Sequence, residues 1–288
     1  MKHDKEVIYD VSAKLKEVIG HVDNLAVLER QTFEVLVTDM KDEFTIETAV
    51  RLNLTDYGND KHVFVVKVIR DGKPLLIISD TLSYQSHVPF QAILLPMRVC
   101  ILGAESKNFI SCPHVWTLQW ERNPEAYSVG DLFLARDHAN ISASSPGIGP
   151  NIDEYGPRFY DISSMYEKRF SQIIQDNMKN AAIKHCVGDL FWINNSNTPN
   201  ITHVNMAKGL SNDKICFNGV AKTGISELMA VHHRNPQSPF KLTSALVGIV
   251  GDAVVRDQKK TEQYKEGVKN LFHTLWKSFE GLQASQAQ

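Results

Sequence analysis

Cysteine is scarce and unpaired in this chain. Cys100, Cys112, Cys186 and Cys216 fall at scattered intervals, which argues against a disulfide framework and for reduced thiols. Uninterrupted apolar stretches are short as well. None approaches the roughly 20 residues a membrane-spanning helix needs, and the longest candidates, His62 to Ile69 (broken by Lys67) and Ala245 to Val250, read as buried strands. An excess of one charge is missing too: 31 Lys and Arg stand against 33 Asp and Glu, a formal net charge of -2. That balance leaves no electrostatic footprint for nucleic acid or an anionic membrane surface. No repeat or linker is visible. The charged start, Met1-Lys2-His3-Asp4-Lys5-Glu6, leads into no signal-peptide core, so a cytoplasmic location is expected. Finally, no glycine lies between Gly20 and Gly58, so the turn after the first strand cannot be a glycine-rich cradle.

What is present is the material of one large core: 288 residues, 43% hydrophobic and 22% charged, a size at which α/β chains commonly fold as one unit. Val7, Val11, Leu15, Val18 and Ile19 recur at helical spacing before Gly20, so Val7 to Ile19 is an opening helix. Leu25 to Leu28 is a short buried strand. Val63 to Ile69 and Leu75 to Ile78 are strands around an Asp71-Gly72 hairpin turn. Val88 to Leu102 is helical, with Pro96 as a kink or late start. Phe109-Ile110 and Val129 to Ala135 continue the strands. Leu190 to Ile193, Ile215 to Phe217 and Leu242 to Val250 are further strands, and Ile201 to Leu210 and Ile225 to His233 are helices. Tyr264, Val268, Leu271, Phe272, Leu275, Trp276 and Phe279 form one stripe on a closing helix. Such alternation predicts a single α/β domain over residues 1–288, a mixed central sheet covered by helices on both faces, with fraying at 1–5 and 284–288.

The chain is organised around Gly149-Pro150-Asn151-Ile152-Asp153-Glu154-Tyr155-Gly156-Pro157-Arg158-Phe159. Two Gly-Pro boundaries enforce a loop of defined shape, and Phe159, Ile162, Met165, Tyr166, Phe170, Ile173, Ile174 and Met178 predict a long amphipathic helix after it. Gly149-Pro150-Asn151, Gly156, Arg158-Phe159, Ser163 and Tyr166, with the approach Val129-Gly130-Asp131-Leu132-Phe133-Leu134-Ala135-Arg136-Asp137-His138, resemble the signature of trimeric purine nucleoside phosphorylases. That resemblance is unbroken from Ser128 to Glu167. It implies a phosphorylase-like fold, a homotrimer, phosphate as co-substrate, no cofactor and no metal. It also implies that Phe159 reaches a neighbouring subunit's sugar pocket, with Tyr84 and Thr223 on the sugar side.

Phosphorolysis needs an anion held beside the sugar and hydrogen-bonding groups on the departing base. At the positions matching the family's phosphate contacts this chain carries Glu29 and Arg30 in place of a glycine-rich turn, Asp80 in place of Arg, and Leu82 in place of His. At the positions matching its base contacts stand Pro199, Lys222 and Gly251, with Asp252 one residue beyond. Trp116 and Trp120 replace small residues. His87 lies near enough to substitute for a lost cation. Glu227 matches the family but reads as an ordinary helix-start carboxylate. Asp137-His138 reads as packing and hydrogen bonding, and Cys112-Pro113-His114 is half a metal motif at most. The reading is therefore a divergent homologue, catalytically impaired or inactive, acting through its surface, its assembly or a protein partner. The alternatives are an active phosphorylase using Arg30, His87 or Asp252, and a nucleoside-binding protein without phosphorolysis.

Overall fold

The computed structural model describes residues 4–57, 60–82, 90–118, 127–142, 147, 149–193, 201–251 and 258–286. Helix α1 (Asp4–Ile19) ends where expected, at Gly20. It is followed by β1 (Asn24–Leu28), α2 (Arg30–Asp39), β2 (Thr45–Asn53), β3 (His62–Arg70) and β4 (Lys73–Ile78). The β3–β4 hairpin turns through Asp71 and Gly72 at φ 51° and 73°, both positive, as a type I′ turn requires. Two further features escape the periodicity. Helix α2 begins one residue after β1, where the sequence offers no side-chain cap hydrogen bond. Strand β2 is largely exposed, so it carries no clean apolar signal.

The proline at position 96 starts a helix instead of kinking one. Chain 90–103 is split into α3 (Phe90–Ile93) and α4 (Leu95–Gly103), and Pro96 sits in the first turn of α4, where its missing N–H costs nothing. Next come β5 (Asn108–Cys112), β6 (His114–Thr117) and β7 (Leu132–Asn140). The last of these starts three residues later than predicted and runs five further, because Val129-Gly130 is a turn with Gly130 at φ 94°. Then follow α5 (Lys168–Asn180), β8 (His185–Trp192), α6 (Ile201–Leu210), β9 (Phe217–Ala221), α7 (Ile225–Arg234), β10 (Thr243–Val250) and α8 (Gln258–Gln286). Strand β9 begins at Phe217, where the predicted strand ended. The closing helix α8 continues to Gln286.

The ten strands lie in the order β2-β3-β4-β1-β5-β10-β6-β9-β8-β7, and an added β10–β7 pairing closes the last five into a small barrel. Alternation along β1 sorts its side chains between two layers. Leu25 and Val27 face the layer that holds α1 and α4, while Ala26 and Leu28 face the α2, α5 and α8 side. The α8 stripe from Tyr264 to Phe279 is buried throughout in that second layer. Each such side chain contributes about 1.5–3 kcal/mol on leaving water. Among the described residues no helix is long and apolar enough to cross a membrane.

The organising loop is fixed by its own polar groups and by α7. Asn151 Nδ2 donates to Asp153 Oδ1 and to the Gly156 carbonyl, at 2.7 and 2.9 Å. Tyr155 Oη donates to the Ala230 carbonyl at 3.0 Å, and His233 Nε2 meets the Gly156 carbonyl at 3.0 Å. The helix predicted from Phe159 begins only at Lys168. Glu167 caps it by accepting from the Phe170 N–H at 2.7 Å, and this carboxylate cap fixes the start. Phe159 and Ile162 lie before it, 89% and 41% exposed.

Candidate functional site

Sheet register brings four segment ends together. Leu28 pairs with Cys112, Val27 with Ile78, and Val115 with Ala221. Glu29, Asp80, His114 and the Lys222-Thr223-Gly224 turn therefore emerge at the same end of the sheet. Gly224 is at φ 88° and serves as N-cap of α7. A Cβ there would lie 2.7 Å from the Pro113 ring, so glycine alone fits this close approach.

The polar groups at this end bond to one another. Glu29, the N-cap residue of α2, makes no capping bond with its side chain. Its carboxylate instead accepts from the Thr223 hydroxyl. Arg30 donates through Nε at 3.0 Å and Nη2 at 2.9 Å to the same oxygen, Asp80 Oδ2. Burial pushes the Asp80 carboxyl up to about 6. Arg30 pulls it down and Glu29 pushes it further up. His114 Nε2 lies 2.5 Å from Tyr264 Oη, which in turn lies 2.7 Å from Thr32 Oγ1. Burial lowers the His114 pKa against the raising effect of Glu29.

Glu227 is the residue that sequence reasoning undervalued. It does stand in the first turn of α7, but it is 2% exposed, with Oε2 buried and without a hydrogen-bond partner. Burial, with the charges of Glu29 and Asp80 as further raising influences, drives its pKa to about 8. Its first-turn position in α7 was legible. The closure of the sheet end over it was not, because that depends on β1, β4 and β9 meeting.

The remaining predicted positions scatter in role. Leu82 is buried in the layer with α1 and α4, packing as an apolar side chain. Lys222 Nζ lies 4.7 Å from the centre of the Trp116 ring, and burial lowers its pKa. Gly251 lies against the His114 ring, 3.3 Å from where its Cβ would stand. Tyr84, His87, Trp120, Pro199 and Asp252 lie outside the described residues. Of the sugar-side set, Thr223 is in the cluster and Phe159 is in the exposed loop. Asp137 and His138 serve local structure: Asp137 Oδ1 accepts from the His138 N–H at 2.8 Å, and His138 Nδ1 lies 3.0 Å from Tyr166 Oη. His232 and His233 diverge, to Ser244 Oγ and the Gly156 carbonyl. Among the described residues no three His, Cys, Asp or Glu side chains are placed to hold a metal ion.

No family model matches the chain. It is similar to purine nucleoside phosphorylase 1 of Geobacillus stearothermophilus, 30% identical over 143 residues, which is 46% of this chain and 48% of that protein. The corresponding protein of Bacillus subtilis strain 168 is 24% identical over 158 residues, covering 54% and 56%. The chain thus spans about half the length of these relatives. The fold likeness extends further: a Schistosoma mansoni purine nucleoside phosphorylase, solved in complex with inosine, superposes with a TM-score of 0.69 over 94% of each chain at 12% identity. The chain is similar in sequence to purine nucleoside phosphorylases over about half its length, and it shares the fold of a purine nucleoside phosphorylase over nearly all of it.

Proposed function

We propose that this chain is a non-phosphorolytic homologue of the purine nucleoside phosphorylases, whose anion position is closed from within, and that it acts through its surface and its assembly. The observation that carries the reading is the pairing of Thr223 with Glu29 beside that of Arg30 with Asp80. A hydroxyl at a position matching the family's sugar side and a guanidinium at one matching its phosphate contacts both bond to carboxylates of the chain itself. An entering phosphate meets Glu29 and Asp80 as like charges. Each repulsion is about 4 kcal/mol at 4 Å and a surface-like dielectric, similar in size to the whole binding energy of a millimolar ligand, about 4 kcal/mol.

Incubation of the purified chain with inosine or guanosine and phosphate tests this. The expected result is no free base above background, and turnover at roughly 1 per second or faster, the range of ordinary enzymes, contradicts it. The resemblance extends the proposal to a homotrimer, supported by the 89% exposed Phe159 in a loop otherwise bound firmly to α7. A stable monomer at micromolar concentration in sedimentation removes that part.

A further inference from the structure

Two irregularities meet in the middle of strand β8. The β7–β8 register passes over Arg136, since Ala135 pairs with Gly188 and Asp137 with Asp189. The β8–β9 register passes over Asn218, since Asp189 pairs with Phe217 and Leu190 with Gly219. Such insertions are rare between parallel strands, and each bends its strand and re-aims the side chains beside it. Asp189 lies between the two. A cavity of about 260 Å³ opens there, lined by Arg136, Asp137 and His138 of β7 and by Asp189 of β8. Lys214, Ile215 and Phe217, at the start of β9, complete it. Its volume falls just below the range of about 300–1,000 Å³ that holds drug-sized ligands, so it suits a smaller molecule. Asp189 is the buried charge of the lining, its side chain 6% exposed. Its Oδ2 accepts from Arg136 Nη2 at 2.8 Å and from the Cys216 N–H at 2.6 Å. Its Oδ1 accepts from no protein group among the described residues. Asp137 Oδ1 accepts from the His138 N–H, and neither Asp137 nor Lys214 forms an ion pair among the described residues.

Arg136 and Asp189 compensate each other, which leaves one side chain of each sign, Lys214 and Asp137, unpaired on the lining. Burial lowers the His138 pKa, so the imidazole adds no charge near neutrality. A simple anion in this cavity meets two carboxylates, and a simple cation meets a guanidinium and an ammonium. A molecule carrying both signs finds a partner for each. Phe217, whose ring stacks on that of Phe191 at 4.3 Å, and Ile215 add apolar wall. We propose that this cavity binds a small zwitterion of the amino-acid class with an apolar side chain. The ammonium bonds to Asp189 Oδ1 and Asp137. The carboxylate bonds to Lys214 and to the Arg136 N–H groups that Asp189 does not use, and the side chain lies on Phe217 and Ile215. This site involves neither Glu29, Arg30, Asp80 nor Thr223, so it does not depend on the functional reading above.

The test is calorimetric titration of the full chain with leucine and phenylalanine, and with the amide and the N-acetyl derivative of each, which lack the carboxylate and the ammonium charge respectively. The wild type is compared with Asp137→Asn and Lys214→Met, both at exposed positions, where the exchange leaves the core intact. The expected result is saturable binding of at least one of the two amino acids by the wild type. Either variant should bind it roughly tenfold more weakly or worse, the effect of losing one hydrogen bond to a charged group. Each blocked derivative should lose affinity by a similar factor. The proposal is overturned if the wild type binds neither amino acid at millimolar concentration. It is equally overturned if a blocked derivative binds as tightly as its parent, or if either variant binds as tightly as the wild type.

Discussion

Glu227→Gln is expected to stabilise the protein by an amount that grows with pH. The carboxyl titrates near 8 in the fold and near 4.3 in an unfolded chain. Between those values the unfolded state has released its proton while the folded state keeps it, so the wild type loses stability as pH rises through that window. Above about 8 the cost is complete, with an upper limit of about 5 kcal/mol from the size of the shift. Glutamine has the same shape and carries no charge, so it removes this dependence. The difference between the two proteins should be small at about pH 4.5 and grow by up to roughly 1.4 kcal/mol per unit towards pH 8. Urea unfolding at several pH values measures it. A constant difference would mean that Glu227 ionises normally and that this end of the sheet is wet.

His233 acts in the opposite direction and sets the acid side. Burial, with the Arg98 charge, lowers it to about 4. An unfolded histidine binds its proton near 6.5, so stability is lost as pH falls between about 6.5 and 4. The two windows overlap between about 4.3 and 6.5, where their opposite slopes cancel, so the net change from the pair is the Glu227 loss between about 6.5 and 8.

Gly156→Ala is expected to remove the organising loop from its seat. A Cβ at position 156 would lie 1.8 Å from the His233 carbonyl oxygen and 2.6 Å from its ring. Neither can give way easily, because the carbonyl belongs to α7 and the ring stacks on Tyr160 at 4.9 Å. The expected loss is on the order of 4 kcal/mol or more, the range reserved for forced backbone shifts and strain. Gly209→Ala in α6 is the control. Nothing lies within 4 Å of its added methyl, and exchanging glycine for alanine in a helix stabilises by about 1 kcal/mol. Chemical denaturation of both variants should therefore move in opposite directions. A Gly156→Ala protein as stable as the wild type would show that the loop docks loosely.

The sequence made the local elements legible wherever period and punctuation agreed. The Asp71-Gly72 hairpin, the start of α4 at Pro96 and the α8 stripe all rest on chemistry within a few residues. The extension of a helix back to Phe159 failed because a helical period alone does not fix a start. The Glu167 carboxylate does, by capping α5 at Lys168. Strand β2 was missed because an exposed edge needs no apolar alternation. At the candidate site, the replacements at 29, 30, 80 and 82 were visible in the text of the chain. Their mutual pairing was not. Asp80 lies 50 residues from Arg30, and Thr223 lies 194 from Glu29, so only the parallel register of β1 and β4 and the return of β9 could place them together. Glu227 was misjudged for the same reason.

The central claim is that the Glu29 carboxylate accepts from within the Thr223 hydroxyl hydrogen bond that would otherwise be offered to an external anion. A crystal structure obtained after soaking in phosphate and inosine tests it most directly. The account predicts that the Thr223 hydroxyl still donates to the Glu29 carboxylate, that Arg30 still pairs with Asp80, and that no phosphate lies between them. A phosphate ion bound to Thr223 and Arg30, with the Glu29 side chain turned away, would contradict it.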